Sequence, residues 1–182
     1  MRRSAIAGED GIAAACARLK LPGVGVMRLK IEPVTAHAFA PFGDLLPPGA
    51  GDGPQQLIDE LQNGRASARP RLSMTTVEPK TLPLTAAKME RHVHSSQAFV
   101  PMDCANYLVM VAPKGADGKP DLARLRAFRV PGDTGINYRP DTWHHPLSPL
   151  ERAGRFAILT FIDGTAGDEE WADLPEPVVV AP

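Results

Sequence analysis

The chain has 182 residues, enough for one ordinary domain and too few for two domains with separate cores. Its 20 basic and 21 acidic residues leave a net charge of −1. The protein therefore lacks the overall positive electrostatic field that attracts nucleic acid or an anionic membrane. The expected partner is therefore a small molecule. The 16 glycines and 19 prolines indicate many turns and short strands, so we predict an all-β protein with a few short helices.

Cysteine content and hydropathy indicate the compartment. The two cysteines, Cys16 and Cys104, have the spacing of neither a zinc motif nor a disulfide framework. The apolar runs at 107–112 and 156–162 are far shorter than the roughly 20 residues of a membrane-spanning helix. We therefore expect a cytoplasmic protein that does not enter a membrane.

Residues 1–26 are predicted to be a weakly ordered extension. Two arginines and an alanine-rich stretch imitate a targeting peptide, but Glu9 and Asp10 interrupt it and no clear cleavage site follows. We interpret the segment as a short, loosely attached helix or tail. A single β-barrel domain is assigned to residues 27–182.

The first predicted elements of that domain are a strand over 24–32 and a helical turn over 36–39 capped by Thr35. Residues 47–56 have loop composition, and no sustained period follows until Arg71. This part of the chain is predicted to be a long surface excursion with the character of a lid.

Short strand candidates follow at the spacing typical of a sandwich or barrel. They cover residues 71–78, 88–94, 98–101, 107–112, 126–130, 136–138 and 156–162. A brief helix or 3₁₀ turn is predicted over 121–125, with Asp121 as its cap.

Four of the five histidines lie in two clusters, residues 90–97 and 137–146. Side chains alternate between the two faces of a strand, so Glu90, His92 and His94 are expected on one face. A polar, ionisable face of this kind suits a barrel interior that holds a ligand.

The His-x-His pattern, with an amide soon after it and a distant histidine in a proline-rich turn, resembles the metal-binding pattern of cupins, which are double-stranded β-helix barrels. The resemblance implies a divalent metal ion such as nickel, zinc or manganese on His92, His94, Gln97 and His144, and no organic cofactor. The alternative is a barrel lined by the same histidines, hydrogen-bonded and without metal.

A second resemblance covers most of the chain, in motifs that are well separated. They are Met27-Arg-Leu-Lys-Ile-Glu-Pro33, Ala38-Phe-Ala-Pro-Phe-Gly-Asp44, Glu90-Arg-His92, Ser96-Gln-Ala-Phe-Val-Pro101, Pro120-Asp-Leu122, Leu125-Arg-Ala-Phe128, Asn137-Tyr138 and Trp143-His-His-Pro-Leu147. In this order they resemble the ureidoglycolate lyase family. The resemblance implies a cupin-like barrel, a homodimer, and cleavage of ureidoglycolate to glyoxylate and urea in allantoin and purine-nitrogen breakdown.

The family usually reads Glu-Arg-His-Pro-Leu where this chain has Val93 and His94 after its histidine. The family pattern and the cupin pattern therefore differ on His94.

The implied reaction removes a hydroxyl proton from a carbinolamine and protonates the departing urea nitrogen, so one base and one acid suffice. His92 and His144 are the catalytic candidates because imidazole titrates near neutral pH, with Glu90 as orienter or alternative base. A metal ion on the same residues is the other hypothesis, since a Lewis acid lowers the pKa of the hydroxyl.

Gln97, Asn137 and Tyr138 are candidates for substrate binding. The two amides can pair with the urea group, although satisfying buried backbone groups is an equally common role. The Tyr138 hydroxyl can hold a substrate oxygen.

The substrate carboxylate calls for a guanidinium fork, which Arg91 or Arg139 can supply. Strand alternation places Arg91 on the face opposite His92, where a structural role or a dimer contact is the alternative. By the same alternation His145 should face away from His144 and be structural.

Two other functions fit these residues. One is a ureidoglycolate amidohydrolase that releases ammonia, and the other is a non-catalytic cupin that binds a small carboxylate.

Overall fold

A computed structural model describes residues 26–49, 52–54 and 61–182. The predicted extension lies outside the described residues except for Val26, and so does part of the predicted lid-like excursion. The elements in chain order are β1 (Met27–Pro33), α1 (Ala36–Phe39), β2 (Gly43–Leu46), β3 (Arg69–Val77), β4 (Leu84–His92), β5 (Gln97–Asp103), β6 (Asn106–Ala112), a 3₁₀ turn (Leu122–Arg124), β7 (Arg126–Pro131), β8 (Gly135–Tyr138), β9 (Trp143–His144), β10 (Ser148–Leu150), β11 (Gly154–Ile162) and β12 (Glu169–Ala181).

The described strands form two sheets that build an all-β, cupin-like barrel with short helices, as predicted. The first sheet has the order β10-β6-β7-β1-β12-β4-β9, and it closes because β9 also pairs with β6. The second sheet has the order β2-β8-β5-β11-β3. Most neighbours are antiparallel, but β1 runs parallel to both β7 and β12.

The two predicted helical segments are confirmed. Thr35 accepts a hydrogen bond from the backbone N–H of Ala38 at 3.2 Å and begins α1. Asp121 accepts one from the backbone N–H of Ala123 at 3.0 Å and begins the 3₁₀ turn. Because the side-chain oxygens satisfy N–H groups that have no partner inside the helix, the caps explain where both segments start.

Four strands were not predicted, namely β2, β9, β10 and β12. The first three have two to four residues, too few for alternation to be visible. β12 contains Pro175 and Pro177, residues that argue against a strand in sequence. Its pairing with β4 shifts register between Asp173 and Val178, so the prolines lie where the ladder is interrupted.

Apolar side chains fill both faces of the first sheet. One cluster joins the two sheets and includes Phe39, Tyr107, Phe128 and Phe156. A second cluster consists of buried residues that alternate along the strands of the first sheet, and Trp143 is one of them. The residue that follows Trp143 in β9, His144, therefore faces the space between the sheets. No helix in the described ranges is long and apolar enough to cross a membrane.

Candidate active site

Glu90 and His144 form the centre of the site, directly opposite each other on β4 and β9. His144 is 1% exposed, and its Nε2 lies 3.4 Å from Glu90 Oε1. Its Nδ1 lies 3.1 Å from the Thr142 carbonyl oxygen, which can only accept, so Nδ1 carries a proton. Nε2 is therefore the ring nitrogen that faces the Glu90 carboxylate.

The charge state of Glu90 follows from its surroundings. Burial raises the pKa of this carboxyl, but the hydrogen bond to His144 and the electrostatic interactions with His144, His92 and His145 outweigh burial. The net effect is a pKa below the ordinary value of 4.5. Glu90 is thus an anion at neutral pH, the form that stabilises a protonated imidazole beside it.

His92 lies two residues after Glu90 and points to the same face of β4. Its ring is 6.0 Å from the His144 ring, centroid to centroid, with the planes 25° apart. Burial and the charge of His144 lower the pKa of His92 below 6.5, although Asp168, Glu90 and Glu169 act in the opposite direction. His92 is therefore mainly neutral at pH 7, in the form that can accept a proton.

Tyr138 and Gln97 belong to the same group of side chains. The Tyr138 ring stacks on His144 with centroids 4.2 Å apart, and Gln97 is the cross-strand partner of Tyr138. Burial, with a smaller contribution from Glu90, raises the pKa of Tyr138, so its hydroxyl stays protonated. Gln97 Oε1 is buried and has no hydrogen-bond partner among the described residues. A buried polar atom left in this state is suited to a polar ligand.

Asn137 does not lie beside the histidines. Asn137 follows the opposite face of β8 from Tyr138, and its amide donates to Asp44 Oδ2 at 3.2 Å. Arg139 also pairs with Asp44, at 3.0 Å. The Asn137 side chain does not share the face of His92 and His144, and the Arg139 guanidinium is engaged by Asp44, so the geometry supports a substrate contact for neither residue.

Arg91 is committed to a structural network on the other face of β4. Its Nε and Nη2 donate to Glu170 Oε2 at 3.0 and 2.6 Å, and Nη1 lies 3.0 Å from Asp141 Oδ1. Its guanidinium also stacks 4.7 Å from the Trp143 ring centroid. The alternation-based interpretation of Arg91 as structural fits these contacts, whereas the carboxylate-binding hypothesis does not.

His94 does not share the face of Glu90 and His92 on one strand, because β4 ends at His92. The backbone N–H of His94 donates to Asp168 Oδ1 at 2.7 Å and its carbonyl accepts from the Gly64 N–H at 2.7 Å. In the described part of the chain, no group of three or more His, Cys, Asp or Glu side chains is arranged to hold a metal ion. The implied metal set therefore does not fit, and we derive no step through a metal.

His145 follows the last residue of β9, so strand alternation does not determine which way its side chain points. Burial lowers the pKa of His145, and its charge interacts with those of Glu90 and His144. Its Nδ1 lies 2.9 Å from the carbonyl oxygen of Pro146.

Asp168 is the residue of the site that the sequence reasoning missed. It is buried in front of β12, and its Oδ2 lies 3.5 Å from His92 Nδ1. No spacing relation links it to either histidine cluster. The only signal in the sequence was the acidic run 168–170.

The fold and the site together define a class: a cupin-like barrel whose interior carries a histidine pair and a carboxylate able to move protons. A family model described as ureidoglycolate lyase matches residues 26–181. The chain belongs to the ureidoglycolate lyase family.

Curated relatives named ureidoglycolate lyase support this assignment. The protein of Rhodobacter capsulatus is 39% identical over 84% of this chain and 98% of its own length. That of Burkholderia mallei (strain NCTC 10229) is 37% identical over 72% of this chain and 81% of its own. The protein of Escherichia coli O139:H28 is 32% identical over 82% of this chain and 96% of its own length.

Among solved structures, RmlC from Streptococcus suis in complex with dTDP-D-xylose is similar at a TM-score of 0.40 and 7% identity. The likeness covers 54% of this chain and 46% of that one, so this chain spans less than half of its length. A likeness this distant says nothing about the site.

Proposed function

We propose that this protein cleaves ureidoglycolate to glyoxylate and urea. The observation that carries the proposal is the placement of Glu90, His92 and His144 on one face, with one imidazole paired to a carboxylate and the other neutral at pH 7. The relatives named ureidoglycolate lyase supply the substrate. Breakdown of allantoin in the cytoplasm is the proposed setting, and a chain with two cysteines suits a reducing compartment.

The proposed step moves one proton from oxygen to nitrogen. His92 Nε2 accepts the proton of the substrate hydroxyl as the C=O bond of glyoxylate forms and the C–N bond breaks. Protonated His144 gives its Nε2 proton to the departing urea nitrogen, and Glu90 stabilises His144 until then. No water is consumed and no atom changes oxidation state overall, so the products are glyoxylate and urea alone.

Gln97 is the proposed recognition residue for the urea group. Its buried Oε1 has no partner among the described residues and accepts hydrogen bonds only. A urea N–H supplies the missing donor. Because a buried acceptor without a partner costs free energy, binding of the substrate amide is favoured over binding of an apolar group.

The experiment is an assay of the purified full chain with ureidoglycolate, in which urea, glyoxylate and ammonia are measured together. We expect urea and glyoxylate in equal amounts and no ammonia. Release of ammonia would assign the chain as an amidohydrolase, and binding without turnover would make it a non-catalytic barrel. Repeating the assay after treatment with a chelator tests the metal hypothesis, because the acid–base step proposed here predicts unchanged turnover.

We also propose a homodimer formed through the outer face of the second sheet. Leu72, Met74, Val100 and Met102 are 72, 62, 44 and 58% exposed. Cross-strand pairing through Ala157 and Leu159 of β11 joins them into one apolar patch, bordered by Arg155, which lies 3.9 Å from Asp103. A second copy of the same face can cover this patch, and exposed apolar patches of this kind mark interaction sites.

Light scattering coupled to size exclusion tests the dimer. The doubly substituted chain Leu72→Asp with Met74→Asp is expected to run as a monomer, since burying two carboxylates in an apolar interface is costly. Ala87→Asp, an exposed alanine on β4 of the other sheet, is the matched control and should leave the dimer intact. A monomeric parent chain would overturn the proposal.

A further inference from the structure

Asp168 joins three segments of the chain behind the His92 ring. Its Oδ1 accepts from the backbone N–H of His94 at 2.7 Å, and its Oδ2 accepts from the Ser95 hydroxyl. The same Oδ2 lies 3.1 Å from Arg65 Nη2 and 3.5 Å from His92 Nδ1. With Asp168 only 6% exposed, these contacts replace the water that a carboxylate loses on burial.

Arg65 provides the balancing charge and is held on two further sides. Its Nη1 lies 3.0 Å from Asp163 Oδ2, and its Nη2 donates to the Phe161 carbonyl at 2.8 Å. The backbone around it is also tied down, because the Gly64 N–H donates to the His94 carbonyl at 2.7 Å. The position of Asp168 is thus fixed from the side remote from His92.

The nitrogen that faces Asp168 determines the tautomer of His92. A carboxylate anion can only accept, so Nδ1 carries the proton and Nε2 keeps its lone pair. His144 has the same tautomer, set by the Thr142 carbonyl. The two rings differ in the acceptor behind them, which is a charged carboxylate for His92 and a neutral carbonyl for His144. An anion behind the ring stabilises the imidazolium that forms when His92 accepts a proton.

We propose that Asp168 is a positioning residue that holds His92 as the proton acceptor of this site, with Nδ1 protonated and Nε2 free, and that Arg65 anchors Asp168. The consequence for turnover rests on the proposed function. The tautomer of His92 does not, so the two are tested separately.

The first test measures the tautomer by ¹⁵N NMR of the histidine rings in the full chain without substrate. The His92 signals are assigned by their loss in His92→Gln. We expect His92 to be protonated at Nδ1 in the parent chain and to populate the Nε2-protonated form in Asp168→Asn. A parent chain with His92 protonated at Nε2 would overturn the proposal, even if Asp168→Asn does not fold.

The second test follows turnover against pH. His92 is faced by His144 on β9, by Glu90 on β4, and by Asp168 and Glu169 where β12 begins. Removing the negative charge of Asp168 lowers the pKa of His92 further, and the base must be unprotonated to act. The acidic limb of kcat/KM should therefore move to lower pH in Asp168→Asn, while kcat at neutral pH falls roughly 10²-fold and KM changes little.

Asp173→Asn is the matched control, because it removes an exposed carboxylate of β12 that lies opposite Lys88 and takes no part in the network around Asp168. This control should leave the acidic limb of the kcat/KM profile unchanged. Asp168→Glu should restore part of the kcat that is lost in Asp168→Asn. If the parent chain cleaves ureidoglycolate but Asp168→Asn keeps its kcat and its acidic limb, the inference is wrong. If the parent chain has no lyase activity, the proposed function fails while the tautomer measurement still decides the role of Asp168.

Discussion

Glu90 and His144 are cross-strand partners whose Oε1 and Nε2 atoms lie 3.4 Å apart, although four strands, β5 to β8, lie between them in the sequence. The Thr142 carbonyl holds the proton on His144 Nδ1, so the nitrogen that faces Glu90 is the one available for chemistry. A buried imidazole between a carbonyl and a carboxylate is prepared to give up a proton at one defined atom. This pair and the neutral His92 beside it assign the acid and the base of the proposed step.

His144→Asn should lower kcat strongly and leave the chain folded, because a positioned acid contributes roughly 10²- to 10⁴-fold to the rate. Steady-state kinetics measures the loss and circular dichroism checks the fold. His37→Asn is the control, because His37 is exposed on α1 and this variant should keep the kcat of the parent chain. We expect a smaller loss for His145→Asn. An equal loss would mean that the His145 ring acts on the substrate as well.

Glu90→Gln should change how stability depends on pH. The folded-state pKa of Glu90 lies below the ordinary 4.5, so its contribution to stability is present above that pH and is lost as pH falls through the lower folded value. The difference in melting temperature between the parent chain and Glu90→Gln should therefore be largest near pH 6 and shrink below about pH 4.5. A difference that grows on acidification would contradict the ionised Glu90.

Arg91→Ala should reduce stability without changing substrate affinity. The change removes the bonds to Glu170, the contact with Asp141 and the stacking on Trp143, a loss of about 2 kcal/mol in the free energy of unfolding. Urea denaturation measures it. Arg124→Ala, at an exposed pair with Asp121, should cost less than about 0.5 kcal/mol. A tenfold rise in KM for Arg91→Ala would restore the carboxylate-binding hypothesis.

Gln97→Met should weaken substrate binding while leaving the fold at least as stable. The variant keeps the length of the side chain and removes a buried oxygen that has no partner among the described residues. We expect KM to rise about tenfold, equivalent to about 1.4 kcal/mol, with no fall in melting temperature. A fall in melting temperature with KM unchanged would show that Gln97 supports the barrel and does not contact the substrate.

Removal of residues 1–25 should leave turnover and melting temperature unchanged, because the family match begins at residue 26. The truncated chain is compared with the full one by steady-state kinetics and thermal denaturation. A large fall in melting temperature would show that the extension packs on the barrel. A change in the oligomeric state of the truncated chain would show that it contributes to the dimer.

Local features of the sequence predicted much of the fold and the centre of the site. The helix cap at Thr35, the cap at Asp121 and most of the strands depend on a few neighbouring residues, so they can be recognised without the rest of the chain. The same holds for Glu90 and His92, which share a face because alternation along a strand follows from backbone geometry alone.

Pairing between distant segments decided the rest. Asp168 reaches His92 because β12 pairs with β4. Strand β12 was not predicted because it contains prolines, which fit a strand here only because the pairing shifts register at that point. Tyr138 and Gln97 join His144 because the two sheets face each other. The sequence by itself determined which side chains alternate within each strand and which family the chain resembles. The tertiary structure decided which strands meet, because hydrogen-bonded pairing and burial depend on residues far apart in the chain.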